Sequence, residues 1–214
     1  MSNRSRWGAY VTPLFVAVAI LFAVFGRIPA GSATDVQQAE TFINDLGVKL
    51  AEVLSATDRS PADREQDLKE LMGTGIGFSV IGRFVLGRTW RKATAEQRKN
   101  YQKMFKQYVL STYTRRFSTY SNVGFKIIKA RKAGKSDAVV KTALKRPDAK
   151  DIQADWRVRT VNGSPKIVDV MIEGISMAVT QRQDFAAVVK KSGIDGLLEN
   201  LRGQTATTAT ASSQ

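Results

Sequence analysis

An α+β fold is predicted from three features taken in chain order. From Asp35 to about Tyr120, apolar residues recur at three- and four-residue spacing, the period of amphipathic helices. Between 123 and 173, four short runs of strand character follow one another, joined by turn-forming links. A capped amphipathic segment and a glycine break then close the chain. Helices first, then a meander of strands, then closing helices give an α+β layout rather than an alternating α/β one. The 214 residues suffice for one domain of ordinary size with its own core.

The first helix is expected from Asp35 to Ser55. Val36, Ala39, Phe42, Ile43, Leu46, Leu50, Val53 and Leu54 make its apolar stripe, Asp35 can cap it, and Gly47 weakens it slightly. Ser60-Pro61-Ala-Asp63 is a start signal, a capping serine followed by proline at the first helical position. The helix it opens carries Leu68, Leu71 and Met72 and ends at Gly73-Thr-Gly75. Phe78–Leu86 reads as a short apolar helix, which suits ordinary core as well as a pocket wall. Thr94-Ala-Glu-Gln97 is a capping box, and the helix it opens is the longest, reaching about Tyr120. Along it Tyr101, Met104, Phe105, Tyr108, Tyr113, Phe117 and Tyr120 recur at helical steps, with Arg98, Lys103, Lys106 and Arg115 among them. Such a stripe packs as core against a sheet, and its tyrosines also tolerate a semi-polar rim.

The strands are expected at Val123–Arg131, Asp137–Lys145, Ile152–Val161 and Lys166–Glu173. Gly134-Lys-Ser, Arg146-Pro-Asp and Asn162-Gly163-Ser-Pro165 link them, and this turn chemistry argues for an antiparallel meander. In the third strand Ala154, Trp156 and Val158 alternate with Asp155, Arg157 and Arg159; in the fourth, Val168, Val170 and Ile172 alternate with Asp169 and Glu173. Gly174 then turns the chain. Thr180 with Gln183 reads as a capping box for a helix striped by Phe185, Val188 and Val189, with Gly193 at its stop and a short helix beyond. Residues 203–214, rich in Thr, Ala and Ser without periodicity, read as a disordered tail.

Composition excludes several chemistries. There is no cysteine, hence no disulfide or thiolate site, and no histidine, the commonest general base and metal ligand near neutral pH. Asp169 and Glu173, four apart on a strand, do not pair for acid–base work, and Asp151, Asp155 and Asp169 lack calcium-loop spacing. Gly73-Thr-Gly-Ile-Gly77 precedes no Gly-Lys-Ser/Thr, so it is not a phosphate loop, and Ser176 sits in no nucleophile elbow. No catalytic residue and no cofactor or metal is expected.

The formal charge is +14, an attraction for nucleic acid, acidic protein or anionic membrane alike. The N-terminus narrows the choice. Arg4 and Arg6 precede an uncharged run from Gly8 to Gly26 with an apolar centre, and Ala30-Gly-Ser-Ala33 follows. This is the plan of an export signal over residues 1–33, cleaved after Ala33. The alternative is an uncleaved inner-membrane anchor, since the run approaches the roughly 20 residues needed to span a bilayer. Either places the body of the protein outside the cytoplasm, away from nucleic acid.

Two blocks carry a family resemblance. One is Asp169-Val-Met-Ile-Glu-Gly-Ile-Ser176 with Arg182-x-x-Phe185; the other is Leu86-Gly-Arg-Thr-Trp-Arg-Lys-Ala-Thr-Ala-Glu-Gln-Arg98, with Phe105 and Thr112-Tyr113 downstream. In order and spacing, over roughly residues 40–202 and with Trp156-Arg157 between, the chain resembles the MlaC-type (toluene-tolerance) family of periplasmic phospholipid carriers.

The resemblance implies a curved antiparallel four-stranded sheet wrapped by helices, cone-like (NTF2-like), with a deep apolar cavity. It implies a lipid-binding domain over 34–202 and a non-enzymatic carrier of phospholipid, or of a hopanoid-like lipid. The implied partners are an outer-membrane lipoprotein complex and an inner-membrane ABC transporter with a substrate-capturing domain. From helix and strand faces, the residues expected at such a cavity are Phe84, Val85, Trp90, Tyr108, Tyr113, Phe117, Trp156, Val170, Ile172 and Phe185. Two other readings stand beside it. An enzyme using a similar cavity on a small hydrophobic substrate would show an acid–base pair inside it. A cationic module for nucleic acid or acidic envelope polymer would show a flat basic face and no cavity.

Overall fold

The first helix of the structure, α1 (Val36–Ser55), starts where its sequence says it should: the Asp35 carboxylate accepts from the Gln37 N–H at 2.8 Å. The structure, a computed structural model, describes residues 34–56, 58–118, 124–146 and 149–211, with side chains described except at 115–118, 146, 149 and 206–211. The expected export signal at 1–33 lies outside the described residues. So do Tyr120 and Val123.

Helix α2 (Pro61–Gly75) opens on Ser60, whose Oγ accepts from the Asp63 N–H. Helix α3 (Phe78–Leu86) ends at Gly87, with φ 59°. A further short helix, α4 (Arg88–Lys92), was not anticipated by the periodicity. Helix α5 (Ala95–Ser118) opens on a reciprocal capping box: Gln97 N–H donates to Thr94 Oγ1 at 3.1 Å, and Thr94 N–H to Gln97 Oε1 at 3.0 Å.

Among the described residues the sheet has five antiparallel strands in sequential order, one more than expected: β1 (Gly124–Ala133), β2 (Asp137–Arg146), β3 (Ala149–Val161), β4 (Ser164–Ile172) and β5 (Ile175–Ser176). The fifth arises because Glu173 and Gly174, at φ 48° and 81°, fold the chain back so that Ile175 and Ser176 pair with Ile172 and Met171. Asn162 and Gly163 take φ 50° and 78°, the paired positive values of a two-residue type I′ hairpin. One expectation for β4 fails. A bulge opposite Arg157 and Val158 inserts Val168, so Ile167 pairs with Val158 while Val170 pairs with Trp156. Ile167, not Val168, therefore joins Val170 in the packed face of the sheet.

Helix α6 (Met177–Ala211) is broken at Gly193, with φ 69° and ψ −175°, so a second helical piece follows as the glycine implies. Its start is not the Thr180 box. Ser176 Oγ accepts from the Val179 N–H at 3.1 Å, and Asp169 on β4 accepts from both Ser176 Oγ (2.6 Å) and the Ala178 N–H (3.1 Å). A carboxylate reaching over from the sheet satisfies two groups at the helix start, which local spacing cannot reveal. The tail read as disordered instead continues α6 as far as Ala211; its alanines are the strongest helix formers.

Two apolar clusters organise these elements. One joins α3, α5 and α6: Tyr101, Phe105 and Phe185 stack or meet edge-on with centroids 5.7–6.3 Å apart, beside Val85, Leu197 and Leu201. The other joins α1 to one face of the sheet, through Ala39, Ile43, Ala138, Val140, Val158 and Ile167. Helix α5 has α2, α3 and α6 as its principal neighbours, whereas α1 is the principal cover of β1 and β2. The aromatic stripe of α5 is thus core among helices, not the direct cover of the sheet that its pattern suggested.

Candidate functional site

On the sheet, the row Val140–Trp156–Val170 runs across β2, β3 and β4, and Thr142–Ala154–Ile172 is the next row on the same face. Val140, Thr142 and Ala154 are fully buried, but Trp156, Val170 and Ile172 are only half-buried. The indole is held in place rather than loosely packed. Its Nε1–H donates to Thr142 Oγ1 at 2.9 Å, and that hydroxyl donates to Ala154 O at 3.1 Å. A buried threonine satisfied on both sides orients a large aromatic ring across the face. This device is invisible in the alternation of β3, where Trp156 reads only as one more inward residue.

From the helical layer, Tyr108 donates its phenol proton to Gln181 Oε1 of α6 at 3.2 Å, and Tyr113 is half-buried one and a half turns along α5. The buried Thr114 reaches Met72 of α2 through its hydroxyl at 3.7 Å. Ile172 and Tyr113 belong to neither cluster among the described residues.

The structure divides the ten residues expected at one cavity. Val85 and Phe185 are buried in the helical cluster, with Trp90 and Tyr108 packed against it. Trp156 and Val170 pack against the α1–sheet cluster. Phe84 is 42% exposed, its ring 5.0 Å from the guanidinium of Arg182, because it occupies the outward side of α3 while Val85 and Leu86 take the inward one. Phe117 lies in α5 with its side chain outside the described set. The two motif blocks do come together: an added Cβ on Gly87 would lie 3.2 Å from Arg182 Nε, a close approach between the end of α3 and α6.

A cleft of about 310 Å3 opens between α1, α2 and the β3–β4 hairpin, lined by Phe42, Leu46 and Leu71 with Asp45, Lys49 and Lys166 on its polar side. Its size is at the lower end of ordinary ligand pockets. Phe42, Leu46 and Leu71 were read from their spacing as helix stripe alone; nothing in the spacing says that this part of the stripe borders an opening. Lys166 is tethered there by its ammonium donating to Thr74 O at 2.5 Å.

Reactive chemistry has little to work with among the described residues. No group of three acidic side chains is placed to hold a metal ion. Asp169 and Glu173 both serve the backbone, Glu173 accepting from the Gln153 N–H at 2.8 Å. Burial pushes the Tyr101 phenol up, and its hydroxyl donates to Gly82 O at 3.0 Å, which makes it a packed core group rather than a base.

Comparison with known proteins bears on this geometry. The chain is 23% identical over 138 residues to the intermembrane phospholipid transport system binding protein MlaC of Haemophilus influenzae, covering 59% of this chain and 61%, less than two thirds, of that protein. It is 23% identical over 181 residues to the toluene tolerance protein ttg2D of Pseudomonas putida, covering 82% of each. The fold is similar to that of the phospholipid-binding protein from Ralstonia solanacearum, solved in complex with a phospholipid, with a TM-score of 0.67, 23% identity, and coverage of 82% of this chain and 99% of that one. The model of the family described as MlaC protein matches residues 40–203, from α1 past the break in α6, and on that match the chain belongs to the MlaC family.

Proposed function

We propose that this protein is a periplasmic, non-enzymatic lipid carrier that shields the acyl chains of a phospholipid between its helical layer and its sheet. The observation that carries the reading is the half-buried set of Trp156, Val170 and Ile172, from two adjacent rows of one sheet face. These apolar side chains of β3 and β4 stay partly accessible although their row neighbours Val140, Thr142 and Ala154 are fully buried. The names of the relatives, with phospholipid transport and phospholipid binding among them, support the same cargo class. Tyr113 of α5 and Ile172 of β4 would line the space into which the chains enter.

The energetics suit carriage rather than release. Each methylene removed from water is worth about 0.8 kcal/mol, so some 30 methylenes represent roughly 20–25 kcal/mol of avoided exposure. Lipid would not escape into water, yet it could pass to another apolar site at little net cost. Export through removal of 1–33 would put the carrier between an outer-membrane lipoprotein complex and an inner-membrane ABC transporter with its substrate-capturing domain. A hopanoid-like cargo would use the same apolar lining.

Mass spectrometry of lipid extracted from the protein purified from the periplasm tests this. Stoichiometric phospholipid is expected. A sterol-like polycyclic lipid in its place would change the cargo and keep the carrier. A folded protein that yields no lipid would defeat the reading.

A further inference from the structure

The face of the sheet opposite Trp156 carries a feature that lipid carriage does not use. Side chains alternate across a sheet, so the row Arg131–Val139–Arg157 faces away from the row Ala130–Val140–Trp156. The next outward row places Asp137 beside Arg159, and the one on the other side places Lys129 and Lys141 beside Asp155. Residues 124–161 hold 11 basic and 4 acidic residues, a net +7 that is half of the +14 of the whole chain.

At the β1–β2 hairpin this face hollows into an open pocket of about 430 Å3 lined by Arg131, Lys135, Asp137, Arg157 and Arg159. Its one carboxylate is already committed. Asp137 is buried and grips Arg159 through two bonds of 2.6 and 3.0 Å, with Arg157 only 3.7 Å away. Among the described residues, no acid lies within ion-pair distance of Arg131 or Lys135, both exposed, and Arg157 Nε has no hydrogen-bond partner. Four cations around one engaged carboxylate leave a positive cradle suited to phosphate oxygens.

We propose that this outer sheet face docks the protein on an anionic bilayer surface, with a lipid phosphate seated between Arg131, Lys135 and Arg157. A specific protein partner fits the face less well. Protein interfaces have an apolar, charge-depleted centre with aromatic anchors. Here the centre is charged, and Ile128, at 50% exposure, is the large apolar side chain most exposed on β1–β3 among the described residues. A broad array of separated cations matches a surface of many phosphates, with about fivefold in affinity expected from each cation near it. The proposal requires the outer face alone, so it stands or falls apart from the cargo reading.

The test is co-sedimentation of the full mature chain with vesicles of phosphatidylglycerol and phosphatidylcholine in equal parts, against phosphatidylcholine alone, from about 0.05 to about 0.5 M NaCl. Binding only to the anionic vesicles, falling with salt, is expected. Arg131→Ala with Lys135→Ala should weaken it about 25-fold while thermal midpoint and co-purified lipid stay unchanged. Lys190→Ala with Lys191→Ala removes the same charge from exposed positions of α6 and should change it several-fold less. Equal loss in both pairs would reduce the effect to net charge and overturn the docking site. Loss of cargo along with vesicle binding would trace the effect to the lipid cavity and overturn it too. Binding to poly-glutamate that depends on Arg131 and Lys135, without vesicle binding, would give the face to an acidic protein instead.

Discussion

The helical cluster and the α1–sheet cluster are built on different physical plans. In the first, three aromatic rings, Tyr101, Phe105 and Phe185, meet in stacked and edge-on pairs with almost no exposure. Such pairs add about 0.5–1.5 kcal/mol each beyond the area they bury. In the second, the buried side chains are alanine, valine and isoleucine, and its rings, Phe42, Phe125 and Trp156, are only partly buried, Trp156 on a hydrogen-bonded tether to Thr142. Polar clamps supply much of its order. Thr34, buried just ahead of α1, donates to Ser136 O at 2.9 Å and accepts from the Thr160 N–H at 2.7 Å, tying the chain to β3 and to the β1–β2 turn. A close-packed aromatic core resists deformation, whereas a face of small residues with an accessible edge can admit another apolar body. On this contrast the helical layer is expected to be the rigid half, and in the proposed carrier the sheet would be the half that receives.

The contrast is most exposed to failure at Phe105. Phe105→Ala should destabilise by about 3–5 kcal/mol in denaturant unfolding, as large-to-small changes at packed aromatics do, with lipid per folded molecule unchanged. A loss under about 1 kcal/mol would mean that the helical cluster is not the rigid half.

Next in size, Thr34→Ala leaves the Thr160 N–H without its acceptor and should cost about 1–3 kcal/mol, with Thr34→Ser restoring most of it. If serine and alanine behave alike in the same unfolding series, methyl packing rather than the polar clamp holds that end of the sheet.

The smallest change in stability is expected from Val170→Trp, measured against delipidated wild type because bound lipid itself stabilises the fold. If the row beside Trp156 borders open space, the indole should enter it, leave stability within about 1 kcal/mol, and sharply reduce co-purified lipid. A close-packed site would instead lose roughly 1–3 kcal/mol from overpacking and keep its lipid. That second outcome would erase the difference between the two clusters.

Elements governed by local hydrogen bonds were legible in the chain. Asp35, Ser60-Pro61 and the Thr94/Gln97 box each satisfy helix N–H groups within three residues, and Asn162-Gly163 needs only its own dihedral freedom to make a hairpin. Gly174 and Gly193 mark real breaks for the same reason. The candidate site was legible only as a set of apolar faces. Periodicity names the inward residues of a helix or strand but not what they meet, so Val85 and Phe185 could not be told from Trp156 and Val170, nor Phe84 recognised as outward.

By itself, then, the amino-acid sequence determined the α+β order, the starts of α1, α2 and α5, the Asn162-Gly163 turn, the positive charge and the family. Those depend on interactions between near neighbours in the chain or on residue types in a fixed order. Tertiary structure alone decided the rest. The β4 bulge that displaces Val168, the Asp169 carboxylate that moves the start of α6 to Ser176, the approach of α1 to β1 at Gly47, where a Cβ would lie 2.7 Å from the Phe125 ring, and the cradle around Asp137 all join residues distant in sequence. Their energies are earned only after the chain has closed those loops, and no local pattern records which distant partner will be there.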